Sequence, residues 1–142
     1  MSDESNAQLS LADELAIRNL LNKVALLADS DSDDLEAYGA CWAEDGIWET
    51  PRSITRGRQA IQEGAAARRR DGLQGPRTNT CHVVTNQIVE FDGPDSASSQ
   101  SYMLFLIDTV DVPKIRVLAR YFDNLSRTDQ GWKLAKRVVS FG

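Results

Sequence analysis

Downstream of Thr78 three short turn clusters, Asp92-Gly93-Pro94-Asp95, Asp111-Val112-Pro113 and Thr128-Asp129-Gln130-Gly131, divide the chain into four segments of strand length: 78–91, 97–110, 114–127 and 131–141. Gly, Pro and Asp favour tight reversals, and such short connections predict that neighbouring segments pair as antiparallel hairpins. Upstream of Thr78 the spacing is helical instead. Leu11, Leu15, Ile17, Leu20, Leu21, Val24, Leu27 and Ala28 recur at the period of one helix face. Ser10, with Asp13 three residues on, is the expected N-cap of this helix. The helix is expected to stop near Asp29, because Ser30-Asp31-Ser32-Asp33-Asp34 is rich in side chains that bond their own backbone. Asp33 or Asp34 is expected to cap a second helix carrying Leu35, Tyr38 and Trp42 on one face. Residues 46–50 read as a short strand broken at Pro51, and residues 57–70 as a third helix ended by Asp71-Gly72. Helices followed by a meander predict an α+β fold: a cone-like curved antiparallel sheet with three N-terminal helices, enclosing a pocket between them.

Composition narrows the function. A chain of 142 residues with 42% hydrophobic and 26% charged residues has the profile of an ordinary globular protein, expected here as one domain over residues 10–142 behind a flexible tail at 1–9. The net charge of -5 argues against a nucleic-acid partner, whose phosphates call for Lys and Arg. The N-terminus has no basic and apolar leader, and no apolar run approaches the ~18 residues of a membrane span, so a cytoplasmic location without membrane contact is expected. Cys41 and Cys81 match no metal spacing and read as reduced, buried thiols. There is no Gly-rich phosphate loop and no nucleophile elbow. The single histidine, His82, excludes a multi-histidine metal centre, and no metal or cofactor is expected.

Histidine is the side chain best suited to exchanging a proton near neutral pH. His82 lies early in the first long strand segment, within Thr80-Cys81-His82-Val83-Val84-Thr85-Asn86, and reads either as a residue hydrogen-bonded in the sheet or as a base. Asp29, after Ala25-Leu26-Leu27-Ala28, is either a solvated helix-end carboxylate or its partner; Asp31 competes for that role. In the segment 115–121, Arg116 and Arg120 suit an apolar cavity poorly, so Ile115, Val117, Ala119 and Tyr121 are expected to face inward. Arg68-Arg69-Arg70 reads as the solvated, dipole-compensating end of the third helix. Tyr38 and Trp42 read as core, whereas Trp48 either packs or offers its ring to a ligand.

The order of a helix ending in Asp, the segment Trp42-Ala43-Glu44-Asp45-Gly46-Ile47-Trp48, a strand running from His82 to Asn86 and a terminal Trp132-Lys133-Leu134-Ala135-Lys136-Arg137 resembles the SnoaL-like branch of the nuclear transport factor 2-like superfamily. The resemblance covers nearly the whole domain. It extends to scytalone dehydratase and hexachlorocyclohexane dehydrochlorinase, and more distantly to polyketide cyclases and ketosteroid isomerase. It implies that Asp29, favoured over Asp31 by the ungapped spacing from Ile17, pairs with His82. It also implies catalytic use of Arg137 on the last strand and an indole at Trp48, with Ala28, Met103, Phe105, Val117, Ala119 and Tyr121 along a substrate pocket. One departure matters. Val24 stands where the dehydrochlorinase has a lysine, so a departing halide would lack its main electrostatic partner.

What remains is proton abstraction from a small, apolar, cyclic substrate by a cofactor-independent lyase or isomerase of dehydratase or cyclase type. Asp29 would orient His82 and stabilise its protonated form. Arg137 would meet developing negative charge, although Trp132, Leu134 and Val138 make the opposite phase of its strand the more apolar one, which would turn it outward. The alternative is a non-catalytic ligand-binding or assembly domain, such as the small subunit of an aromatic-ring dioxygenase. The exposed sheet face predicts a homodimer or higher homo-oligomer.

Overall fold

The computed structural model describes residues 3–31 and 35–142. The caps expected at Asp33 or Asp34 lie outside the described residues. The elements run α1 (Asp3–Asp29), α2 (Glu36–Ala40), β1 (Trp42–Thr50), β2 (Ser53–Arg56), α3 (Arg58–Arg70), β3 (Cys81–Gly93), β4 (Ser96–Ile107), β5 (Lys114–Thr128) and β6 (Gly131–Phe141).

The helical spacing read from Leu11 onward is α1, which begins at Asp3, so Ser10 lies inside it rather than at its cap. Ala7, Gln8 and Leu9 are good helix formers, and propensity carries the helix back past Ser10. Its buried stripe is narrower than the apolar pattern: Ile17, Leu21, Val24 and Ala28 are buried, whereas Leu11, Leu15 and Leu26 stand exposed. Two contacts lash this helix to the sheet. Arg18 donates to the Gln87 carbonyl at 3.1 Å, and Asp13 accepts from Arg127 and from the Trp132 indole.

The six strands lie in the order β2-β1-β6-β5-β4-β3 in one curved, unclosed sheet. The four C-terminal strands form the expected antiparallel meander, and β1 adds to β6 in parallel. The fold is α+β, with the helices packed against one face of the sheet. Several boundaries differ from the expectation. Trp42 opens β1 rather than closing the second helix, and β2, a four-residue strand after the Pro51 break, was not anticipated. β3 starts at Cys81, not residue 78: Arg77 and Asn79 have φ of 63° and 54°, left-handed values that interrupt an extended run. Cys81 is only half-buried; Cys41 is buried, and loss of solvent pushes its thiol up.

On β5 the inward phase is as expected through Ala119 and Tyr121, continuing to Asp123 and Leu125. Ile115 is the exception at 62% exposed. Val117 pairs with Phe105 but Ile115 with Leu106, so Arg116 is an unpaired bulge that turns Ile115 to the outer face. On β6 the alternation itself breaks. Asn124 pairs with Lys136 and Leu125 with Leu134, leaving Ala135 unpaired as a bulge. Before it Trp132 and Leu134 are buried; after it Arg137 and Val139 are.

Two apolar clusters result. The larger joins α1, α2, α3 and the sheet through Ile17, Leu21, Trp42, Ile61, Leu125 and Leu134; the smaller gathers Met103, Ala119, Tyr121 and Val139. Trp48 packs against both. Among the described residues no helix is long and apolar enough to cross a membrane.

Candidate active site

The site begins at the end of α1. Arg69 of α3 donates one terminal nitrogen to the carbonyls of Leu27 (3.0 Å) and Ala28 (3.2 Å), and Ser30 Oγ donates to the Leu27 carbonyl at 3.1 Å. These bonds satisfy carbonyls that a helix end leaves without partners, and a cation there suits the helix dipole. Gly75, at φ 89°, lets the Arg69 stem pass: a Cβ at that position would come within 2.9 Å of Arg69 Cγ.

So held, Asp29 reaches the first turn of β3 with both oxygens. The His82 backbone N–H donates to Oδ2 at 2.7 Å, and His82 Nδ1 lies 2.7 Å from Oδ1. The carboxylate that meets His82 is therefore Asp29 rather than Asp31. A carboxylate accepts, so Nδ1 carries the proton and Nε2 is the ring nitrogen left for the cavity. The two side chains are 15% and 16% exposed, and the Phe105 ring packs on the imidazole at 4.8 Å between centroids.

A second pair closes the opposite wall. The bulge at Ala135 turns Arg137 inward, where Nε and one terminal nitrogen donate to Asp123 Oδ1 and Oδ2 at 2.8 and 3.0 Å. The outward orientation that the apolar phase of the strand also allowed does not occur. The guanidinium lies 3.9 Å from the centre of the Tyr121 ring. Burial opposes the charge on Arg137, but the Asp123 carboxylate and its hydrogen bonds outweigh burial and hold the group protonated, above its ordinary range. Burial also pushes the Tyr121 hydroxyl up to about 12, so it stays protonated.

The third wall comes from α3. Ile61 and Ala65 are fully buried, and Arg68, one turn on, shares their face. Its guanidinium stacks over the Trp48 ring at 4.5 Å, and Nε donates to Gln74 Oε1 at 3.2 Å. Of the expected solvated triplet, only Arg70 is exposed; Arg69 caps α1 and Arg68 enters the site.

Together with Val24, Ala25, Ala28, Tyr38 and Trp42, these side chains enclose a cavity of about 40 Å³. That is close to the volume of one water. Met103, Phe105, Val117 and Ala119 do not line it; they pack behind it in the smaller apolar cluster, which shares Tyr121 with the cavity. A wider hollow of about 390 Å³, among Ala43, Glu44, Asp45, Arg58 and Asp129, contains neither Asp29 nor His82.

Arg68, Gln74, Tyr38 and Asp123 escaped the sequence reading as site residues. Two carried a signal. Arg68 follows Ile61 and Ala65 at helical spacing, and Asp123 continues the inward phase of Ala119 and Tyr121. Gln74 sits in an irregular segment with no period to read.

Comparison with known proteins agrees with this architecture. A SnoaL-like domain model matches residues 9–138. A nuclear transport factor 2-like protein with a cystatin-like fold from Novosphingobium aromaticivorans superposes with a TM-score of 0.85 at 22% identity, covering 98% of this chain and 88% of that one. A protein of the same organism provisionally assigned as a scytalone dehydratase gives 0.75 at 20% identity, covering 96% and 88%. A type 2 hexachlorocyclohexane dehydrochlorinase gives 0.74 at 19% identity, covering 96% and 89%. At these identities the structural likeness speaks to the fold. No curated protein sequence matches the chain.

Proposed function

Since the chain belongs to the SnoaL-like domain family and has the nuclear transport factor 2-like fold, we propose that it is a cofactor-independent lyase or isomerase in which His82 removes a proton from a small cyclic substrate. The observation that carries this reading is the Asp29–His82 pair, with Nδ1 engaged at 2.7 Å and Nε2 left on the cavity side. An imidazole so oriented can take a proton from a carbon beside a carbonyl or a leaving group, and the adjacent carboxylate compensates the imidazolium that forms. The fold places dehydratase and dehydrochlorinase among its structural neighbours, but buried Val24 offers no cation from α1 to a departing halide. For want of that α1 cation we favour loss of water, isomerisation or ring closure over loss of chloride.

A second reading has one observation in its favour. A cavity near the size of one water suits a domain that binds or assembles without turnover. One experiment separates the two. Cyclic ketones and β-hydroxy ketones incubated in D₂O with the protein are followed by NMR for deuterium at the α-carbon. Exchange is expected, and His82→Ala should slow it by about 10² to 10⁴-fold while leaving the circular dichroism unchanged. A variant exchanging within about 10-fold of the parent protein would remove His82 as the base.

A further inference from the structure

The two arginines in the cavity are not equivalent. Arg137 spends its charge on Asp123, through Nε and a terminal nitrogen. Among the described residues, the partners of Arg68 are the Gln74 amide, the Trp48 ring and the Tyr38 hydroxyl, none of them a carboxylate. Yet α3 drives this side chain inward, because it shares a face with fully buried Ile61 and Ala65. Guanidinium stays charged in such a place. Burial pushes Arg68 below its usual range, so the charge is poorly solvated and gains from an incoming anion.

A second observation points the same way. The indole Nε1 of Trp48, the residue Arg68 stacks on, is buried without a hydrogen-bond partner. A buried donor left unmet is costly, and an arriving acceptor relieves that cost. The Tyr121 hydroxyl, held protonated, is a further donor. Against these donors the cavity offers the free nitrogen of His82 as the acceptor that can take up a proton. An oxygen-bearing anion, or a carbonyl becoming one, complements such walls.

We propose that Arg68, with the Trp48 indole, binds the substrate oxygen on which negative charge develops, and that the substrates are cyclic ketones or phenol-like rings anchored by that oxygen. This deepens, and rests on, the assignment of His82 as base. In the step, the α-C–H bond breaks and His82 Nε2 takes the proton. The C–H electron pair becomes the C=C bond, and the carbonyl π pair moves to the oxygen facing Arg68. Return of the proton from the imidazolium to carbon restores the carbonyl and completes exchange or isomerisation. At about 40 Å³ the cavity holds no ring as it stands, so a ring enters only when a lining side chain moves. Held by an amide rather than a carboxylate, the Arg68 guanidinium turns from Gln74 to the ligand oxygen.

The test is equilibrium binding of 4-nitrophenol, at a pH where the free probe is mostly neutral, with the phenolate absorbance band as readout. The wild-type protein is expected to bind the probe as phenolate and to prefer it over the neutral ether 4-nitroanisole. Arg68→Met should weaken phenolate binding by about 10- to 100-fold, leave the ether unchanged, and lose the band; Arg68→Lys should restore part of it. Phenolate affinity unchanged in Arg68→Met, with circular dichroism matching wild type, overturns the proposal, as does a wild-type protein that shows no preference for phenolate. Because no turnover is read, the two ideas fail separately. An Arg68-dependent band without His82-dependent exchange leaves the anion site standing and removes the base. Exchange with an unaffected band does the reverse.

Discussion

Two carboxylates meet two cationic or ionisable partners across one small cavity, and they do opposite things. Asp123 and Arg137 lie on adjacent central strands, with side chains 0% and 7% exposed, each using both ends of its fork on the other. Asp29 and His82 join a helix terminus to an edge strand, remain 16% and 15% exposed, and leave Nε2 uncommitted. The sealed pair turns its main charge on itself. The half-open pair keeps one proton-accepting atom. Similar groups thus differ in how much of each is left unsatisfied.

The contrast can be broken by substitution. Asp123→Asn should cost about 3–5 kcal/mol, measured by urea denaturation, because it leaves the Arg137 charge buried and unpaired. Replacing both partners together, Asp123→Leu with Arg137→Met, should recover much of that loss. Asp29→Asn should cost less, about 1–3 kcal/mol, while it cuts deuterium exchange far more than stability, since an amide no longer fixes the Nδ1–H tautomer. If the two single substitutions destabilise equally, the pairs do not differ in kind.

The smallest effect is expected from a third pair at the surface, Asp13 with Arg127. Hydrogen bonds from Arg127 and then from Trp132 hold the Asp13 carboxyl below its ordinary value of 3.8. A carboxyl depressed on folding stabilises the protein above its unfolded value, and that contribution is lost as pH falls through the lower folded one. Arg127→Ala should therefore lower the melting temperature slightly at neutral pH, and the gap to wild type should close in acid. A gap that persists at the acid end would show that stacking of Arg127 on Trp132, 4.7 Å away, matters more than the ion pair.

Much of the frame was readable from local pattern. The turn clusters dictated the meander, the spacing from Ile17 to Ala28 dictated a buried helix stripe, and the arginines at 116 and 120 dictated which side of β5 faces in. Resemblance brought Asp29 to His82, since no local rule says that the fifty-third residue after a helix end will pair with it. Other features were unreadable for specific reasons. Alternation on β6 pointed Arg137 outward until the bulge at Ala135 reversed its phase. Three successive arginines looked alike as composition, but each faces a different direction around α3, so one caps a helix, one enters the cavity and one meets solvent.

By itself, then, the sequence determined the order of elements, the buried stripe of α1 and the inner side of β5, and the presence of a single histidine, because periodicity and composition act within a few residues. Tertiary structure alone decided which charges are cancelled and which are left open. Those outcomes depend on a one-residue bulge and on where a helix end meets a strand, both settled only when distant segments pack.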